Sequence, residues 1–289
     1  MSKSLFKFFP YNAHDLDAIA NDYLWFSHYS NFNDPFEDVF INNALDYNQG
    51  EFDEVTAIGF FKRIHAGQVP LELVEESILD MKIKGTFEDE YHRVIKETFL
   101  GAKERFTHFV NTSKACCFAR NNEFGYALKN RLMWSHYADG LRGFCIEFDR
   151  ELLIKGISKN IGKEIGISQI KYGKLKKFSF EELANNTAKN LNSSTDMFGI
   201  GSIVSYKSEE WAYESEYRLV TDIGNEIYIP IESIISITVG SKMSKTKLNT
   251  LKSILKGNSK IKCTLFEAYI DVNTFELKKR ELCKIGERA

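Results

Sequence analysis

The sequence predicts an α+β fold, a mixed, mostly antiparallel sheet with a helical segment inserted into it. Three observations carry this. Short runs rich in Ile, Val, Tyr and Thr crowd the last third of the chain ("YRLVTDI", "EIYIP", "IISITVG", "CTLFEAYI"), and β-branched and aromatic residues favour strands. Between residues 52 and 111 the apolar positions instead recur every three to four residues (Val74, Ile78, Met81; then Tyr91, Val94, Ile95, Phe99), the period of an amphipathic helix. The 289 residues also hold only four prolines and no Gly/Ser-rich linker, so the expectation is one domain, 1–289, with 52–111 as a helical insertion.

The elements follow in order. Lys3 to Phe9 reads as a first strand stopped by Pro10, Asp15 to Tyr23 as a short helix, and "YLWFS" as a second strand. "NFNDPFED" is turn and cap chemistry, in which Asn33 or Asp34 caps a helix begun by Pro35. Breaks at Gly67–Pro70 and Lys84–Thr86 divide the helical segment into three. "ACCFA" is a strand of buried type, Tyr126 to Tyr137 a helix ending at "ADG", and "GFCIEF" and "ISQIKY" are strands. Ser179 and Glu182 resemble a capping box for a helix over Phe180 to Leu191, and one lysine-bearing helix is expected near Lys245 to Leu255.

Composition narrows the function. A hydrophobic share of 43%, with 23 Phe and 13 Tyr, is ample for a buried core. A net charge of −2 lacks the cationic surplus that non-specific nucleic-acid binding requires. The charge is uneven, however: residues 1–60 carry ten acids against two lysines, and Gly240 to Lys262 carries seven lysines and no acid. Such a segment faces solvent, or else phosphate or a partner. Five cysteines without C-x-x-C spacing indicate reduced thiols and neither a disulfide framework nor a zinc knuckle. No apolar run approaches the roughly 20 residues of a membrane span, so the expectation is a cytoplasmic protein with no membrane partner.

The phosphate-loop, dinucleotide-fingerprint, zinc-protease and serine-hydrolase signatures are absent, and the six scattered histidines include no pair with the spacing of a helical metal site. Two patches are dense in chemistry. "LMWSHYADGLRGFCIEFD" holds Trp134, His136, Tyr137, Arg142 and Glu147; Ser135 and His136 cannot act as nucleophile and base, because adjacent helical residues point about 100° apart. "WAYESEYRLV" holds Trp211, Glu214, Glu216 and Arg218. On a strand the last three share one face, where paired carboxylates repel unless a cation compensates. A surface ion-pair ladder is the plainer reading of the same pattern.

Together with "WFSHYSNFNDPFE" and "CCFA", these patches resemble an uncharacterised bacterial family, domain of unknown function 2971, the matching motifs spanning about residues 5 to 240. The resemblance implies a cytoplasmic bacterial effector or sensor of the phage-defence or abortive-infection kind. A fainter similarity is to the ADP-ribosyltransferase fold, which implies a split sheet and NAD as substrate. It would make Glu216 the catalytic glutamate, with Glu214 positioning or deprotonating the acceptor, and Lys7 and Ser27 binding NAD, although Lys7 stands where Arg or His is usual. The cleft expected from "FNDPFE", "MWSHYADG" and "YESEYR" thus has Glu216, Glu214 and His136 as catalytic residues. Lys7, Ser27, Asn33, Asp34, Trp134, Tyr137, Arg142, Trp211 and Arg218 bind the substrate, with a small-molecule nucleotide or a macromolecular acceptor as the expected partner. Two alternatives stay open: a metal-dependent nuclease or phosphodiesterase relying on Asp34, and a non-enzymatic nucleotide- or peptide-binding module in which Trp134, Trp211 and Arg218 form a recognition cleft.

Overall fold

The computed structural model describes residues 3–47, 51–122, 125–180, 183 and 200–286. In chain order the strands are β1 (Ser4–Phe9), β2 (Tyr23–Trp25), β3 (Ser27–His28), β4 (Leu45–Asp46), β5 (Lys114–Ala119), β6 (Phe144–Asp149), β7 (Gly166–Gln169), β8 (Lys171–Gly173), β9 (Phe178–Ser179), β10 (Tyr206–Ser208), β11 (Glu216–Thr221), β12 (Glu226–Tyr228), β13 (Ile234–Gly240), β14 (Cys263–Ile270) and β15 (Leu277–Ile285). The α-helices are α1 (Ala13–Ala20), α2 (Pro35–Asn43), α3 (Glu54–Ile64), α4 (Leu71–Ile83), α5 (Phe87–Thr112), α6 (Arg131–Tyr137), α7 (Arg150–Ile161) and α8 (Lys245–Gly257). The chain divides into two compact units, residues 1–31, 113–173 and 207–289 in the first, residues 32–112 and 174–206 in the second.

The first unit is built on a mixed, mostly antiparallel sheet, which makes the fold α+β. Among the described residues its strand order is β15-β14-β13-β6-β1-β5-β11-β7, with β3 beside β5. Only β13 and β14 run parallel among the pairings of this sheet, which β15, β6, β1, β5, β11 and β7 extend antiparallel. The seam between β1 and β5 is narrow, a single registered pair, Phe6↔Ala119. Side chains alternate across the sheet. Leu5, Phe9, Phe144, Ile146, Phe148, Tyr217 and Leu219 pack on one face with Ile19 of α1, Leu153 and Ile157 of α7, and Leu251 and Leu255 of α8. Phe6, Phe8, Cys145 and Ala268 pack on the other with Met133, Trp134 and Ala138 of α6 and its following turn.

The sequence reading needs adjusting here. The stretch 126–137 is not one helix: Ala127–Lys129 is a 3-10 turn, and Asn130 caps α6, its Oδ1 accepting the Leu132 N–H at 2.9 Å and the Met133 N–H at 3.3 Å. A side chain that satisfies free helical N–H groups starts a new helix at that point. Helix α7 and strand β15 are elements that the apolar pattern alone does not announce. The expected helix over Phe180 to Leu191 falls almost wholly outside the described residues.

The second unit contains α2–α5, as the periodicity predicts for 52–111, and a short parallel pair of β4 with β9. Phe60, Phe61, Phe87 and Tyr91 interlock as aromatic edges and faces in its core. Asp34 is the N-cap of α2, its Oδ1 accepting the Phe36 N–H at 3.0 Å with Pro35 in the first turn. Among the described residues no helix is long and apolar enough to cross a membrane.

Candidate functional site

Glu214, Glu216 and Arg218 do converge, but not for the reason strand periodicity gives. Residues Glu209–Glu214 form a 3-10 turn, Ser215 takes a left-handed backbone (φ 45°), and β11 starts only at Glu216. The reversal at Ser215 swings Glu214 back beside Glu216. Nor is β11 an edge strand, since β5 and β7 flank it. The surface-ladder reading is therefore overturned by burial: Arg218 is 0% exposed, Lys207 3%, Glu214 3% and Glu216 4%.

Lys207, from β10, completes a charge-balanced quartet. Its Nζ lies 2.8 Å from Glu214 Oε2 and 3.4 Å from Glu216 Oε2. Arg218 donates to Glu216 through Nε at 2.7 Å and Nη2 at 3.0 Å, a bidentate fork. Tyr137 donates its hydroxyl to Glu214 Oε1. Each carboxylate oxygen thus has a donor. Burial works to raise the Glu216 carboxyl, but the Arg218 charge and hydrogen bonds outweigh it and hold the group at about 2. Glu214, with the single lysine and a like-charged neighbour, is raised by burial above the ordinary carboxylate range. Unequal partners push two adjacent carboxyls apart. The Cys117 thiol, across from Arg218 in the β5–β11 register, is pushed well up by burial, which keeps it an inert thiol.

His136 is exposed and its Nδ1 meets the Tyr213 hydroxyl at 2.7 Å. Trp211 and Tyr213 rings flank it with centroids at 6.4 and 5.7 Å, and Lys207 Nζ sits 4.8 Å from the Trp211 ring centre. Burial first and Glu214 second push Tyr213 up to about 12. Asn130 joins α6 to this turn by donating Nδ2 to the Tyr213 carbonyl at 2.7 Å.

The other expected residues lie elsewhere. Lys7 donates to the Cys117 carbonyl at 3.2 Å and rests over Phe9 and Phe118. By strand alternation Lys7 shares the face of Leu5 and Phe9, whereas Glu216 and Arg218 share the opposite one. Trp134 is buried, donating Nε1 to the Leu128 carbonyl at 2.9 Å, and with Arg218 also buried these two cannot form a recognition cleft with Trp211. Ser27 is paired in the β3–β5 ladder. Arg142 is exposed and bonds the Asp139 carbonyl at 3.2 Å. Asn33 and Asp34 belong to the second unit. No group of three or more metal-binding side chains occurs among the described residues.

Beside the quartet the first unit opens into a groove of two lobes. One, of about 500 Å³, is lined by Arg120, Tyr126, Lys129, Asn130, Tyr213 and Ser215. The other, of about 610 Å³, shares Tyr126 and Lys129 with it and adds Phe6, Glu147, Tyr269 and Lys279. Sequence reasoning noticed Glu147 but gave it no role, and it passed over Lys207, Lys129 and Lys279; lone lysines among polar neighbours look like solvated charge.

Residues 133–219 match the family model described as Protein of unknown function (DUF2971). The match runs from within α6 into β11, so it takes in His136, Tyr137, Glu147 and the whole quartet, and the resemblance to family 2971 is borne out over that segment. Neither a curated protein nor a solved structure matches the chain.

Proposed function

We propose that the first unit is a binding module for nucleotide-class anions, which seat in the two-lobed groove around Lys129 and not at the buried quartet. The observation that carries this reading is the pair Lys129 and Lys279. Both line the groove, and both ammoniums rest on aromatic rings, Lys129 5.7 Å from the Tyr126 centroid and Lys279 4.4 Å from that of Phe266. Neither has a carboxylate partner among the described residues, whereas the neighbouring Lys278 is engaged by Asp271 at 2.7 Å. An uncompensated ammonium takes a phosphate without first breaking an ion pair.

The rest of the groove suits the body of such a ligand. Phe6, Leu128, Ala268 and Leu277 give it an apolar lining, and Tyr126 offers a ring to a base. Its volume of about 610 Å³ in one lobe falls in the usual range of small-molecule sites, about 300–1,000 Å³. The quartet is the scaffold beside it, its two carboxylates buried and each held by a cation.

Calorimetric titration with ATP, GTP, CTP, UTP and NAD tests the reading. Saturable binding of at least one is expected, weakened at least ~tenfold in Lys129→Glu/Lys279→Glu with the melting temperature unchanged. Absence of saturable binding by every nucleotide overturns it. Nicotinamide release from NAD, abolished in a folded Glu216→Gln variant, would replace it with ADP-ribosyl transfer.

A further inference from the structure

Resting on that reading, we infer that the lobe containing Glu147 selects guanine among the nucleobases. Glu147 stands on β6, opposite Phe6 of β1 on one side and Ser236 of β13 on the other. Ser4 Oγ donates to its Oε1 at 2.9 Å and Ser236 Oγ to its Oε2 at 2.8 Å, so one hydroxyl fixes each oxygen. Among the described residues no lysine or arginine pairs with this carboxylate. A carboxylate oxygen accepts about two hydrogen bonds, and each therefore retains one free acceptor site. The cavity holds a fixed pair of adjacent acceptors with no donor between them.

Only one common base complements that pair. Guanine presents two adjacent donors, N1–H and the N2 amine, on its Watson–Crick edge. Adenine and cytosine each set a single amine beside a ring-nitrogen acceptor, and the N3–H of uracil lies between two carbonyls. Against these edges a carboxylate meets a lone pair, and a site whose polar groups are left unmatched rejects the ligand. Asn121 lines the same lobe; its Oδ1 accepts the Ala127 N–H at 2.9 Å, leaving its amide NH₂ as a donor of the kind the guanine O6 requires. A purely cationic ligand would also satisfy Glu147, but Lys129 and Lys279 on the same lobe repel one and attract an anionic tail. A donor pair at one end and an anion at the other describe a guanine nucleotide.

The test is the affinity of the full chain for GTP, ATP, CTP, UTP and inosine triphosphate, in wild type and in Glu147→Gln. GTP is expected to bind at least ~tenfold tighter than the others. Inosine triphosphate, which lacks only the N2 amine, falls below GTP by a similar factor. Glu147→Gln exchanges one acceptor for a donor and is expected to erase the preference while ATP affinity stays within about threefold. Equal affinity for GTP and inosine triphosphate in the wild type, a measurement that needs no variant to fold, overturns guanine selection. If all the nucleotides bind alike, selection fails and the binding-module reading stands; if none binds, both fail.

Discussion

The buried quartet and the Glu147 lobe lie in one unit and use the same residue types, yet they are opposites in how their charges are met. Lys207, Glu214, Glu216 and Arg218 are buried and pair with one another, each carboxylate facing a cation. Glu147, Lys129 and Lys279 line an open cavity, and among the described residues none of them has an ion-pair partner. The difference teaches that a dense charge motif is evidence of a site only when its charges reach a cavity without counter-ions of their own. A buried, charge-paired network fixes geometry, and unpaired charges at a cavity are free to take a ligand.

The largest expected effect is on stability at the quartet. Arg218→Met leaves Glu216 buried against Lys207 alone and should lower unfolding free energy by about 3–5 kcal/mol in a denaturant titration. Lys279→Met, by contrast, should stay within about 0.5 kcal/mol. A similar loss in both variants would break the comparison. Next comes the backbone at the Ser215 turn, where the left-handed conformation excludes a branched side chain. Ser215→Val is expected to cost about 1–3 kcal/mol, and Ser215→Gly to be nearly neutral by the same measurement.

The pH dependence sharpens the asymmetry within the quartet. Glu216 is depressed to about 2 from an ordinary 4.5, so it contributes stability that is present above pH 4.5 and lost as pH falls from there through 2. Glu214 is raised, so the folded state holds its proton more tightly than the unfolded chain. Stability associated with Glu214 is greatest below pH 4.5 and declines as pH rises through its folded value. Acid titration of stability should therefore lose its steep limb below pH 4.5 in Glu216→Gln. Glu214→Gln should instead remove the gain on acidification towards 4.5. A smaller loss belongs to Tyr213→Phe, which deletes the hydroxyl that meets His136 at 2.7 Å; about 0.5–1.5 kcal/mol is expected for such a bond.

What the sequence made legible follows from how local each cause is. Helices α3, α4 and α5 are visible because a 3.6-residue period and the Gly/Pro breaks are local signals. Strand β15 is not, because "LKKRELCKI" reads as surface charge; at the sheet edge, lysines and arginine are in place to guard against unwanted pairing. The Glu216–Arg218 face was readable from period two, but Glu214 joins it only through Ser215, a residue with no strong preference for positive φ. Lys207 reads as a solvated charge between Tyr206 and Ser208, since its burial depends on contacts that close around it in three dimensions. The separation of Lys7 from Glu216 required the strand register, which no single motif encodes.

The most direct test of the central claim sets the two regions side by side in one calorimetric series. Nucleotide affinity is measured for wild type, for Lys129→Glu/Lys279→Glu at the open groove and for Glu214→Gln in the quartet, each checked for an intact melting transition. The account predicts a loss of at least ~tenfold in the groove variant and affinity within about threefold of wild type in Glu214→Gln. Retained binding in the groove variant together with loss in Glu214→Gln would contradict it and place the ligand at the quartet.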